Sequence, residues 1–212
     1  MIFINRDAAG LSLTEALKDY KDQSCVVFAL PRGGVPIGAI VAQFLNAPFD
    51  LLIPRKIGYP GHEEYAIGAV CEKGEPVLNQ AEVSRLDASE IDAKINAQRN
   101  EAKRRRELYL QDRKPVEVND KTTIIVDDGI ATGLTMQAAI QDLKQRKPAR
   151  IVVAVPVAHI DSVHKLASLV DDVIVIDRPE NFLGAVGAHY GDFWQFSDGE
   201  VVNIMSQVND VR

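Results

Sequence analysis

Apolar residues gather along this chain in short unbroken runs, and the stretches between them carry apolar residues at helical spacing. Cys25–Leu30, Phe49–Ile53, Thr123–Val126, Ile151–Val155 and Val173–Ile176 are runs of strand length, mostly β-branched or aromatic. They do not alternate with polar residues, which suits strands buried on both faces of a parallel sheet. Between them, Ile37, Ile40, Val41, Phe44 and Leu45 mark one helix. Met136, Ala139, Ile140 and Leu143 mark a second, and Ile160–Leu169 a third. Strand and helix in alternation predict an α/β fold: an open, mostly parallel sheet flanked by helices, with right-handed crossovers.

Cap signals set further boundaries. Ser12-Leu13-Thr14-Glu15 reads as a capping box that starts a helix running through Ala16 to about Tyr20. Asp87-Ala88-Ser89-Glu90 opens a long polar helix to about Leu110, and Ser197-Asp198-Gly199-Glu200 a last helix to about Val208. Lys144, Arg146, Lys147 and Pro148 close the helix that contains Met136. The alternation lapses at Gly58–Tyr65, which is turn-rich and polar, with Ala66–Val70 and Pro76–Leu78 as short strands. That pattern predicts a mobile loop and ribbon over about 57–80. Gln111–Lys121 is a polar connector with an edge strand at Val116–Val118. Beyond Pro179, Phe182–Val186 and Tyr190–Phe196 are rich in aromatic residues and are expected to form a small covering hood.

Composition narrows the classes. A length of 212 residues with 46% hydrophobic and 25% charged residues suits one folded domain without staples. The expectation is a core over about 24–180 and a covering region over about 179–208. A formal net charge of −6 argues against nucleic acid as the main partner. The Lys103-Arg104-Arg105-Arg106 run invites that reading, but Glu101 and Glu107 supply ion-pair partners on a solvated helix. No apolar run is long enough to span a membrane and the first residues have no signal-peptide pattern, so a cytoplasmic protein is expected. Cys25 and Cys71 are two isolated thiols, and His159 and His164 lie five apart, so no protein-held metal site is expected.

The chemistry concentrates at Thr123–Thr135, T-I-I-V-D-D-G-I-A-T-G-L-T. Asp127 and Asp128 fall where the strand stops, the place where open α/β sheets bind ligands. The loop Gly129–Thr135 then leads into a helix, whose free N–H groups and dipole favour an anion by about 0.3–1 kcal/mol beyond the hydrogen bonds. It lacks the P-loop lysine and the three-glycine dinucleotide fingerprint. Two carboxylates beside a phosphate cradle can hold both hydroxyls of a ribose and its 5′-phosphate.

This stretch resembles the phosphoribosyl diphosphate (PRPP) motif of type I phosphoribosyltransferases: four mostly apolar residues, an acidic pair, and a loop ending in T-G-x-T. The resemblance implies that Ala131, Thr132, Gly133, Leu134 and Thr135 hold the 5′-phosphate and that Asp127 and Asp128 face the ribose. Pro31-Arg32-Gly33-Gly34 stands in the place of the family's pyrophosphate loop, with a cis peptide expected at Arg32-Gly33. Arg55-Lys56 resembles the R-K pair by which orotate and adenine enzymes contact pyrophosphate. His62 follows it as in the orotate enzymes' catalytic loop, although Tyr59 stands where they have a further lysine. His62, Glu63 and Glu64 are thus candidates for catalysis and proton transfer, alongside Asp127, Asp128, Arg32 and Lys56.

By the same resemblance the cofactor is Mg²⁺, carried by PRPP and reaching Asp127 and Asp128 through water. The partners are PRPP, a base acceptor and a second copy of the chain. Ala131 replaces the acid that hypoxanthine and guanine enzymes carry before T-G, which disfavours a 6-oxopurine acceptor. Phe182, Val186, Tyr190 and Trp194 are candidates for a base-stacking wall. The implied reaction is displacement of pyrophosphate from ribose C1 by a ring nitrogen, with water excluded by closure of the Gly58–Tyr65 loop. A PRPP-sensing module without turnover is the alternative. PRPP synthesis fits less well, because those enzymes resemble two such domains in a longer chain.

Overall fold

The computed structural model describes residues 2–208. Its elements are α1 (Arg6–Ala16), β1 (Cys25–Ala29), α2 (Gly34–Leu45), β2 (Phe49–Leu51), β3 (Arg55–Tyr59), β4 (His62–Val70), β5 (Val77–Leu78), α3 (Gln80–Val83) and α4 (Ala88–Leu110). β6 (Thr122–Val126), α5 (Leu134–Gln145), β7 (Arg150–Val157), α6 (Ile160–Ala167), β8 (Asp172–Asp177) and α7 (Asp198–Gln207) complete it. Five parallel strands form the main sheet in the order β2-β1-β6-β7-β8. A second, antiparallel sheet has the order β3-β4-β5.

Both faces of the main sheet are buried, and strand periodicity divides its residues between two cores. Cys25, Val27, Ala29, Ile124, Val126, Val152 and Ala154 point to the face covered by α1, α2 and α7. Val26, Phe28, Ile125, Val153 and Val155 point to the face covered by α5 and α6. Each buried Val, Ile or Phe among them contributes about 1.5–3 kcal/mol, which is why the runs carry no polar alternation. A third cluster, Ile57, Ile67, Val70, Ile91 and Ile95, seats the small sheet on α4.

Register is what places the site. Ala29 pairs with Val126, and the Leu30 amide donates to the Val126 carbonyl at 3.0 Å. β1 and β6 therefore end level, and Leu30–Gly34 leaves the sheet beside Asp127–Gly133.

Several sequence expectations are corrected. The first helix starts at Arg6, capped by the Asn5 side chain, which accepts from the Ala8 amide at 2.9 Å. Ser12 and Thr14 lie inside it and donate back to the Ala8 and Leu11 carbonyls. Ala9, Leu13 and Leu17, all fully buried, carry the apolar stripe through the supposed cap. The Phe49–Ile53 run ends as a strand at Leu51. Arg55-Lys56 begins the second sheet, and Gly58–Tyr65 is a β-hairpin whose turn is Pro60-Gly61. Val116–Val118 is no edge strand, since the Val116 amide donates to the Asp50 carboxylate at 3.2 Å instead of to a neighbouring strand. The helices opened by Asp87 and Ser197 form as expected, the latter with both hydrogen bonds of its capping box.

Candidate active site

A cleft of about 460 Å³ opens at the carboxyl ends of β1 and β6. Its floor includes Asp127, Asp128 and Gly129–Gly133; one wall is Pro31-Arg32-Gly33, and Lys56, Val186, Phe193, Gln195 and Phe196 close other sides. The two glycines after Arg32 are dictated by the acids. A Cβ on Gly33 would lie 1.9 Å from Asp128 Oδ2, and one on Gly34 2.9 Å from Asp127 Cα. Glycine alone lets the loop lie this close to the carboxylates. The structure's cis bond is Pro31–Arg32, one residue before the bond expected from the family. Gly33 already has helical dihedrals (φ −63°, ψ −32°) as the cap of α2, so the loop's turn is complete before it.

The loop Gly129–Gly133 is fixed by backbone pairing with the neighbouring strand. The Ile130 amide donates to the Val157 carbonyl at 2.9 Å and the His159 amide to the Ile130 carbonyl at 2.9 Å. The Ser162 hydroxyl donates to the Ala131 carbonyl at 2.6 Å. Gly133 caps α5 with φ +76°, a conformation that favours glycine, and turns the first amides of the helix toward the loop. Ala131, Thr132, Gly133 and Thr135 line the cleft, whereas the Leu134 side chain packs on the α5–α6 core.

The residue that the sequence did not reveal is Arg6. Its Nε and Nη2 donate to Asp128 Oδ2 at 3.0 and 2.8 Å, and its Nη1 donates to the Trp194 carbonyl at 2.9 Å. The guanidinium carbon lies 3.8 Å from the Phe193 ring centroid, and the residue is 4% exposed. Tyr190 donates its hydroxyl to the Asp128 carbonyl at 2.6 Å. The first helix and the aromatic hood thus grip the second acid of the motif together. Asn5 as an N-cap was the one local sign that Arg6 begins a helix.

Other predicted site residues divide. Arg32 and Lys56 reach the cleft. Arg55 turns the other way, its Nε donating to Gln98 of α4 at 3.2 Å. Alternation along β3 puts neighbours on opposite faces, so the R-K pair cannot act together through side chains. His62, Glu63 and Glu64 sit on the exposed hairpin with Tyr59 and Tyr65, beside Glu82 of α3 and away from the cleft lining, and Glu63 pairs with Lys94 at 2.5 Å. Of the supposed stacking wall only Val186 lines the cleft. Phe182 packs against His189 (centroids 4.8 Å apart), Tyr190 is buried, and Trp194 lies outside the lining. Phe193 and Phe196 take their place. The three arginines of the basic run of α4 form ion pairs: Arg104 and Arg105 with Glu101, and Arg106 with Glu72.

Burial and the neighbouring Asp128 charge push the Asp127 carboxyl well above the ordinary carboxylate range. Its Oδ1 accepts the Asp128 amide at 2.8 Å, which only partly offsets this. Burial raises Asp128 too, against the pull of Arg6. The folded protein therefore keeps a proton on Asp127 where the unfolded chain has released it, so this group's contribution to stability falls as pH rises above the ordinary carboxylate value of about 4. Asp127→Asn keeps an acceptor for the Asp128 amide and removes the charge. In thermal melts at pH 5 and pH 7.5 the variant should gain on the parent by about 2–4 °C at the higher pH, on the order of 1 kcal/mol. An equal difference at both values would contradict the account.

Among the described residues, no group of three or more His, Cys, Asp or Glu could hold a metal ion. The donor set that lines the cleft, two adjacent carboxylates, suits Mg²⁺, which is held by one or two carboxylates together with substrate phosphates and waters.

Comparison with known proteins gives the family and the fold. The phosphoribosyl transferase domain model matches residues 4–191, and the chain belongs to that family. In Mycobacterium tuberculosis, strains CDC 1551 and H37Rv each have a relative named "putative phosphoribosyl transferase". Each is 39% identical over 210 residues, covering 98% of this chain and 47% of the relative. The chain thus spans about half the length of these curated relatives. The crystal structure of TT1426 from Thermus thermophilus superposes with a TM-score of 0.82 at 38% identity, over 98% of this chain and 99% of that one. AQ2163 of Aquifex aeolicus shares the fold, with a TM-score of 0.51 at 12% identity over 84% of this chain and 76% of that one. The α/β architecture read from the sequence is the one these comparisons show. No helix among the described residues is long and apolar enough to cross a membrane.

Proposed function

We propose that this chain transfers the 5-phosphoribosyl group from PRPP to a nitrogenous base, with Mg²⁺ and release of pyrophosphate. The observation that carries the reading is the level ending of β1 and β6, which sets the acidic pair between the Pro31–Gly34 loop and the helix-start cradle. In that reading Asp127 and Asp128 hold the ribose hydroxyls, and their ionised forms stabilise positive charge as the bond from C1 to pyrophosphate lengthens. The amides from Ala131 to Thr135 hold the 5′-phosphate. Arg32 and Lys56 face the departing anion, and such preorganised charge is usually the largest catalytic contribution. Mg²⁺ would be carried by the diphosphate against Asp127 and Asp128 and would neutralise its charge.

Val186, Phe193, Gln195 and Phe196 border the space for the acceptor. Ala131 leaves that space without the acid that serves 6-oxopurine enzymes, so another base class is favoured. Arg55 and Leu134 would serve only as supports, and His62, Glu63 and Glu64 only if the hairpin closes over bound substrate. A single domain acting as a cytoplasmic homodimer completes the proposal, by analogy with the family.

The test is pyrophosphate release from PRPP and Mg²⁺ with a panel of purine and pyrimidine bases. Release that depends on one base supports transfer and identifies the acceptor. PRPP binding with no release for any base of the panel would contradict turnover and favour a sensing module.

A further inference from the structure

Arg32 does not stand alone over the cleft. Its Nη1 is 3.4 Å from Asp198 Oδ1, at the first turn of α7, and the same oxygen accepts the Tyr109 hydroxyl of α4 at 2.6 Å. Tyr109 is 2% exposed, so its hydroxyl has a fixed place, and neither it nor Asp198 lines the cleft. The hydroxyl's donation is the main cause that holds the Asp198 carboxyl below the usual carboxylate range, followed among the lowering causes by the nearby charge of Arg105. Burial and the bond to Asp198 push Tyr109 up to about 12, so it stays a donor at every physiological pH. The Arg32 side chain is 35% exposed and uses one nitrogen on Asp198, and a guanidinium has five N–H donors in a rigid fork.

We propose that Asp198, itself held by Tyr109, is a positioning residue that aims the Arg32 guanidinium at the diphosphate of PRPP. The inference rests on the phosphoribosyl-transfer reading and extends it to two residues outside the cleft. A long arginine side chain loses much rotamer freedom when it meets an anion, and a carboxylate that already holds one nitrogen removes part of that cost before the ligand arrives. The single contact leaves the remaining donors for the diphosphate, so the ion pair is kept, not exchanged, when ligand binds. Asp198 also follows Gln195 and Phe196 of the acceptor wall by three and two residues. Groups that border the two substrates therefore share one short segment.

The experiment is calorimetric titration of PRPP with Mg²⁺ into the parent, Asp198→Asn, Arg32→Met, the double variant and Asp198→Glu. Tyr109→Phe is a milder probe that removes only the hydroxyl. Asp198→Asn should weaken binding about 5- to 10-fold in the parent background and have no further effect once Arg32 is Met, because coupled residues are non-additive. Asp198→Glu should recover part of the loss, and Tyr109→Phe should weaken binding about 2- to 5-fold, in line with loss of one supporting hydrogen bond. An Asp198→Asn effect of equal size in both backgrounds, or none in either, would overturn the proposal while leaving the transferase reading intact. A folded parent that does not bind PRPP would overturn both.

Discussion

Arg6→Met is expected to lower the thermal midpoint by about 10 °C and to weaken PRPP binding, although the residue lies 122 positions from the acid it holds. Removing one partner of a buried ion pair costs about 3–5 kcal/mol, because the other is left uncompensated. For a domain of this size each kcal/mol shifts the midpoint by about 2–4 °C. Methionine fills part of the volume against Phe193, Tyr190 and Phe196, so the loss reports charge and hydrogen bonds more than a cavity. A second change, Asp128→Asn, should restore part of the stability by removing the stranded carboxylate. If the two effects on melting simply add, Arg6 does not act through Asp128.

Gly33→Ala is the second large effect. A Cβ 1.9 Å from a carboxylate oxygen would be harmless if the acid could swing aside. Asp128 cannot: two Arg6 N–H groups hold its Oδ2, and the Tyr190 hydroxyl holds its backbone carbonyl. The methyl group must displace the Pro31–Gly34 loop or break the pair, costing about 1–3 kcal/mol as overpacking. In either case the loop and the acids lose their mutual placement. PRPP affinity should fall at least about 100-fold by calorimetry, about 2.7 kcal/mol of binding. Gly199→Ala serves as control, since its Cβ would meet nothing closer than 4.0 Å. Equal affinity of Gly33→Ala and the parent would mean that the loop and Asp128 do not share one ligand.

What the sequence disclosed is local. The strand, the acidic pair and the cradle lie within thirteen consecutive positions, Thr123 to Thr135, and β-branching, helix spacing and small loop residues each leave a mark at short range. The same holds for α4 and α7, whose caps sit beside the helices they start. Arg6, Tyr109, Phe193 and Asp198 are brought to the site by packing of distant segments, which no local pattern records. Tyr109 has the sequence surroundings of any residue on a polar helix, and only the packing of α7 against α4 gives its hydroxyl a partner. The supposed cap at Ser12 shows the converse error: a four-residue signature was outweighed by the stripe Ala9, Leu13, Leu17, which continues the helix across it. Arg55-Lys56 begins β3, where strand alternation sends the two side chains to opposite faces, and no local pattern shows that separation.

The measurement that tests the central claim most directly is calorimetry of PRPP with Mg²⁺ on the parent and on the double variant Asp127→Asn/Asp128→Asn, with melting curves to confirm that both are folded. The account predicts saturable one-site binding by the parent and a loss of at least about 100-fold in the variant, as expected when two hydrogen-bonded carboxylates no longer meet the ribose. Binding of equal strength by both proteins, or none by the folded parent, would contradict it.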